Sequence, residues 1–267
     1  MTGAEFLLRR DRYVVACCLA IICLLSWYYL WSGAGTGMST VAMTTWQFPP
    51  PVYRNMDTGN WPLDYWLIML VMWWVMMIAM MVPSATPMIL LYARVYRHNQ
   101  KGQQGISTVV PTAAFLSGYL VAWLLFSLAA TALQWGLERT GLVHGMMMWS
   151  NSRVLSAAFL LSAGLYQLSP LKTVCLDHCR SPAGFLSAHW RKGRLGALRM
   201  GMEHGLYCVG CCWFLMLLLF VGGIMNLVWI AGLAIFVLLE KLLPHGVPVA
   251  RASGIVMLLA GGYLLLV

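Results

Sequence analysis

The most constraining feature of this sequence is a series of long apolar runs, each near the ~20 residues that carry a helix across a bilayer. Hydrophobic residues make up 61% of the 267 positions and charged residues only 9%. A soluble domain carries about 25% charged residues, so this chain lacks the polar surface such a globule needs. The thirteen Trp and eleven Tyr suit membrane interfaces. The sequence therefore predicts an all-α, polytopic transmembrane bundle forming a single membrane domain over 1–267.

Seven spans are expected, at about 13–32, 65–93, 109–133, 152–169, 205–222, 225–242 and 251–267. Gly222-Gly223 separates the fifth from the sixth, as a tight turn or as a flexible point in a longer helix. With the N-terminus in the cytoplasm, only Arg54, Arg139 and Arg153 of the 17 basic residues fall outside. That bias is the signature that orients membrane proteins. It also accounts for the net charge of +9 without a nucleic-acid partner. The first span, preceded by Arg9, Arg10 and Arg12, is longer than a signal-peptide core and reads as a retained helix. The loop at 33–64 is rich in Gly, Ser, Thr and Pro, with Pro49-Pro50-Pro51 at its centre, and is expected against the membrane surface. The cytoplasmic loop 170–203 is basic. Its part from Ala183 to Met200 mixes Phe185, Leu186, Trp190, Leu195 and Leu198 with Arg and Lys, as a segment on an anionic leaflet would.

The chemistry concentrates in two runs. Cys175-Leu176-Asp177-His178-Cys179 offers three soft or borderline ligands, spaced to share one helical face. The second run extends from Glu203 to Cys212. At about 100° per residue, His204, Cys208, Cys211 and Cys212 fall on one stripe of one helix. Thiolates and imidazoles so grouped suit zinc, copper(I) or iron. The reducing cytoplasm disfavours a disulfide there. The other three cysteines, Cys17, Cys18 and Cys23, read as small apolar packing residues.

Copper(I) is favoured over zinc. It accepts two or three soft ligands, Met among them, whereas structural zinc takes paired knuckles that are not evident here. Span 2 carries Met69, Met72, Met76 and Met80 at helical spacing, with Met77, Met81 and Met88 on an adjacent side. Met76, Met77, Met80 and Met81 are candidate additional ligands, as are Glu203 and Glu240. The methionines also suit simple core filling. Met146-Met147-Met148 beside His144 could receive the metal at the outer side. Pro83 and Pro87 predict a kink in span 2, either of the kind that borders binding sites in membranes or a purely architectural one. Glu240 is expected to pair with Lys241 or with the basic loop, and Asn226 to cap a helix or make an interhelical hydrogen bond. No catalytic residue is assigned: no nucleotide loop, Ser-His-Asp set, HExxH or haem-attachment motif occurs.

The segments Cys175-x-x-His178-Cys179-Arg180-Ser181-Pro182 and Arg199-Met200-Gly201-x-Glu203-His204-Gly205-x-Tyr207-Cys208-x-Gly210-Cys211-Cys212-Trp213 resemble a bacterial family of predicted metal-binding integral membrane proteins. Met225-Asn226-Leu227, Glu240-Lys241 and Met80-Met81-Val82-Pro83 add to the resemblance. It implies an inner-membrane protein with a metal site and names no reaction. Three functions follow: copper handling with a metal-donor or metal-acceptor protein as partner, a thiol-redox or metal-dependent enzyme, and a non-catalytic subunit stapled by a structural metal.

Overall fold

Apolar side chains at helical spacing, with intrahelical hydrogen bonds satisfying the backbone, leave helices as the one solution for these segments in a non-aqueous setting. The computed structural model of the chain is helical throughout its secondary structure and describes residues 3–48, 61–99, 108–243 and 246–266. Eleven helices occur among these residues: α1 (Gly3–Trp31), α2 (Thr40–Met43), α3 (Leu63–Asn99), α4 (Val109–Arg139), α5 (Arg153–Leu168), α6 (Pro170–Arg180), α7 (Pro182–His189), α8 (Gly193–Leu217), α9 (Leu219–Gly222), α10 (Leu227–Leu242) and α11 (Gly246–Leu266).

Five helical stretches are long and apolar enough to cross a membrane: Tyr13–Trp31, Leu63–Asn99, Val109–Arg139, Gly193–Gly222 and Gly246–Leu266. Hydropathy counts seven. The difference lies in α5 and α10, which have 16 residues each against the ~20 a perpendicular span needs. α5 and α6 together form a sixth candidate, bent by 67°. Ser169 caps α6 and Pro170 opens it. The proline favours β/PPII backbone at the residue before it, and Ser169 has ψ 149°.

The segment expected as a basic loop, 170–203, is instead almost wholly helical. It comprises α6, α7 and the first turns of α8. The fifth span consequently begins twelve residues earlier than 205, at Gly193. The proline-rich centre of the loop 33–64 lies outside the described residues. Cys17 and Cys18 are exposed on α1 and Cys23 is half-buried, so the packing role expected of the first two is not what they have.

α4 lies along α8, α5 along α11, and α1 along α3. The α4–α8 approach depends on glycine. A side chain at Gly118 would enter the Leu198 carbonyl, and one at Gly201 would enter the Phe115 carbonyl. Small residues that let helix backbones meet are the usual means of packing in lipid. Gly222-Gly223 is a turn: Gly223 adopts φ +102° after α9. Asn226 then starts α10 by accepting from Val228 N at 3.0 Å. Its amide also donates to Thr45 O and Gly222 O, each at 2.9 Å. Helix cap and interhelical hydrogen bond are thus both present.

Candidate metal centre

Met81 stands midway along α3, and all seven methionines of the expected rows on this helix are buried. Pro83 and Pro87 lie within the helix without ending it. Prolines remove backbone donors, and hydroxyls cluster at this point. Ser84 donates to Met81 O at 2.9 Å, Thr86 to Val82 O at 2.9 Å, and Tyr119 of α4 to Met81 O at 3.2 Å. The proline segment therefore does border the cysteine cluster.

α8 presents Cys208, Cys211 and Cys212 to this region, all buried. Cys212 Sγ lies 3.9 Å from Met81 Sδ. Cys179, at the end of α6, places its Sγ 3.8 Å from that of Cys211. The Cys208 carbonyl accepts from the thiols of Cys211 and Cys212, at 3.1 and 2.8 Å. Sulfur atoms from α3, α6 and α8 thus converge, and the two cysteine runs do meet in space. The i, i+3, i+4 spacing on α8 is what makes this geometry available.

Two lysines share the site. Lys241, at the end of α10, places Nζ 2.9 Å from Cys208 Sγ and 3.3 Å from Ser84 Oγ. Tyr119 Oη is 3.1 Å from the same sulfur. Lys172 of α6 donates to Cys211 O at 2.5 Å and to Glu240 Oε2 at 2.8 Å. Glu240 and Lys172 are both essentially inaccessible. Glu240 therefore pairs with the 170–203 segment and not with Lys241. Gln167 and Ser253 extend this polar network.

The remaining candidates divide. Cys175 is half-buried, with its Sγ close to Gly210 of α8, at the rim of the cluster. His204 is buried between aromatic rings, 6.0 Å from Tyr119 and 5.3 Å from Phe185 by centroid. Its Nδ1 has no hydrogen-bond partner. His178 stands apart. It stacks on Tyr207 at 4.4 Å, with Nδ1 on Val174 O at 2.8 Å. Glu203 is taken by Arg191 and Arg199, each at 3.2 Å. At the far end of α4, His144 Nδ1 accepts from Met146 N and Met147 N. Burial lowers the pKa of His144. Its lone pair is thus engaged beside the three methionines.

Among the described residues no group of three or more His, Cys, Asp or Glu is set to hold a metal ion as it stands. The contacts of the thiols explain this. Cys211 and Cys212 donate back to Cys208 O, at 3.1 and 2.8 Å. The Lys241 side chain lies against the Cys208 sulfur, at 2.9 Å. The donors are assembled and soft, as copper(I) requires, but the sulfurs of Cys208, Cys211 and Cys212 each have another partner. Sequence reasoning missed Lys241, Tyr119 and Lys172. Lys241 carried a usable signal, since a cation near membrane depth marks function by default.

Residues 70–264 match the family model described as "PpoB2: Copper chaperone". No curated protein and no solved structure matches the chain.

Proposed function

We propose, from the premise that this chain belongs to the PpoB2 copper chaperone family, that its buried sulfur cluster receives copper(I) as cargo and passes it to a partner protein. The observation that carries this reading is the convergence of Cys179, Cys208, Cys211, Cys212 and Met81 from three helices. Thiolate and thioether are the ligand types that select copper(I). His204 and Cys175 stand at the edge of this set and would contribute after a side-chain rotation. The protein acts in the bacterial inner membrane, with the N-terminus and α6–α7 on the cytoplasmic side. There the excess of Lys and Arg in the 170–203 segment matches the positive-inside bias. α5 and α10, of 16 residues each, complete a seven-span topology by crossing where the bilayer thins to meet them.

X-ray absorption at the copper edge of the loaded protein tests this. Two or three sulfur scatterers are expected. A shell dominated by nitrogen or oxygen would remove the cluster as the binding site.

The separation of Cys179 and Cys211 supports a second reading, thiol–disulfide exchange between α6 and α8. It requires a reversible dithiol in metal-free protein. A redox titration without a two-electron step would dismiss it.

A further inference from the structure

Lys241 is a buried cation that, among the described residues, pairs with no carboxylate. Its chain neighbour Glu240 turns to Lys172 instead, at 2.8 Å. Glu203 is held by Arg191 and Arg199. The partners of Lys241 Nζ are Cys208 Sγ at 2.9 Å and Ser84 Oγ at 3.3 Å. A serine hydroxyl stays neutral. A buried cation needs a compensating charge, and of these two partners only the thiol can supply one, as the thiolate.

Around the cluster, buried charge does not cancel without the thiols. Lys172, which donates to Cys211 O, is neutralised by Glu240. The positive charge of Lys241 is left over. Met81 brings only a neutral thioether, its Sδ 3.9 Å from Cys212 Sγ. Tyr119 lies against the Cys208 sulfur, and its hydroxyl donates to Met81 O. Thiolates must therefore balance the ammonium. Two thiolates holding copper(I) carry one net negative charge, which the ammonium cancels. The same two thiolates holding zinc(II) are neutral, and the ammonium then leaves one uncompensated positive charge in a buried site, which is costly. Zinc(II) reaches neutrality here only by deprotonating a third thiol.

We propose that Lys241 is a specificity-determining residue, whose ammonium sets the net charge of the thiol cluster so that it accepts a monovalent soft ion, copper(I), over a divalent one such as zinc(II). Lys241 is not itself a ligand. A thiolate sulfur has more than one lone pair, and it can accept an N–H donor while it binds metal; such hydrogen bonds tune metal–thiolate sites. Ser84, three residues from Met81, holds the Lys241 nitrogen from the α3 side while Cys208 holds it from α8. The charge is thus fixed between two helices that carry sulfur. Softness alone discriminates poorly, because thiolates bind zinc(II) as well as copper(I). The buried charge adds what softness lacks. This inference rests on the copper reading of the thiol cluster, and the test separates the two.

The test is an anaerobic titration of the full chain in detergent, at one pH, with copper(I) buffered by bicinchoninate and separately with zinc(II) buffered by nitrilotriacetate. The variants are Lys241→Met, Lys241→Gln and Cys208→Ser/Cys211→Ser. Lys241→Gln keeps an N–H donor and loses the charge. In both Lys241 variants copper(I) binding is expected to weaken by about tenfold or more, and zinc(II) binding to tighten. Loss of packing alone would weaken the two metals together. Equal change for both metals, or no change for either, overturns the charge role and leaves the thiol cluster standing. A shift in Lys241→Met that Lys241→Gln does not share assigns the effect to the hydrogen bond and also overturns it. Tighter copper(I) binding in either variant does the same, because the ammonium would then compete with the cargo. Copper(I) uptake that is absent from the wild type, or unchanged in the cysteine variant, overturns the cluster reading and this inference with it.

Discussion

Lys241 Nζ lies 2.9 Å from Cys208 Sγ, and the two are buried together, joining the end of α10 to the middle of α8. The pair is asymmetric. A thiol left alone can be neutral at little cost, but a buried ammonium left alone is an uncompensated charge.

This asymmetry gives the first prediction. Cys208→Ala strands the ammonium and destabilises the protein by about 3–5 kcal/mol. Lys241→Met, which keeps the length of the chain, costs only about 1–2 kcal/mol for the lost hydrogen bonds. The double variant recovers most of the Cys208→Ala loss. Thermal unfolding in detergent orders the three. A Lys241→Met protein less stable than Cys208→Ala would show that the ammonium has other support.

The Lys172–Glu240 pair obeys the same logic more symmetrically, because both groups are buried and Lys172 also reaches Cys211 O. Lys172→Met leaves Glu240 unpaired and is expected to cost about 3–5 kcal/mol. Adding Glu240→Leu restores much of it, since an apolar pair of similar volume replaces a buried ion pair at little net cost. Thermal unfolding of the single and double variants checks this, and equal destabilisation in both would count against it.

Gly201 touches the Phe115 backbone, so Gly201→Leu must push α8 from α4. Overpacking of this kind costs about 1–3 kcal/mol or more. It also carries Cys208, two turns further along α8, away from Tyr119. The expected result is a fall in unfolding temperature together with weaker copper(I) binding. Gly136→Ala, where a side chain meets open space, serves as the control and should change neither.

The apolar helices and the cysteine stripe on α8 were legible in the sequence, because hydropathy and the 3.6-residue period are local properties. The 170–203 segment was read as a basic loop whose apolar residues lie on a lipid leaflet, because nothing local shows that a protein core is there to receive them. Phe185 and Leu186 in fact reach the core, and so does Lys172, held there by Glu240. The partners of Cys208 were not legible. Tyr119 is 89 positions away and Lys241 is 33, and only helix packing brings them together.

His144 offers a pH test of the loop after α4. Burial lowers its pKa in the folded protein, so the folded state favours the neutral ring. The stability it contributes is present above the unfolded value of about 6.5 and declines as pH falls through that region. Hydrogen exchange at Met146 and Met147, whose amides donate to His144 Nδ1, should accelerate below about pH 6. Exchange independent of pH, after correction for intrinsic rates, would contradict this.

The central claim is that the thiols of α6 and α8 hold copper. Elemental analysis by mass spectrometry, on protein purified under reducing and anaerobic conditions, tests it most directly. The wild type is compared with Cys208→Ser/Cys211→Ser, in which hydroxyls replace the soft ligands. The account predicts about one tightly held copper per wild-type chain and almost none in the variant. Equal copper in both proteins, or zinc in place of copper in the wild type, would contradict it.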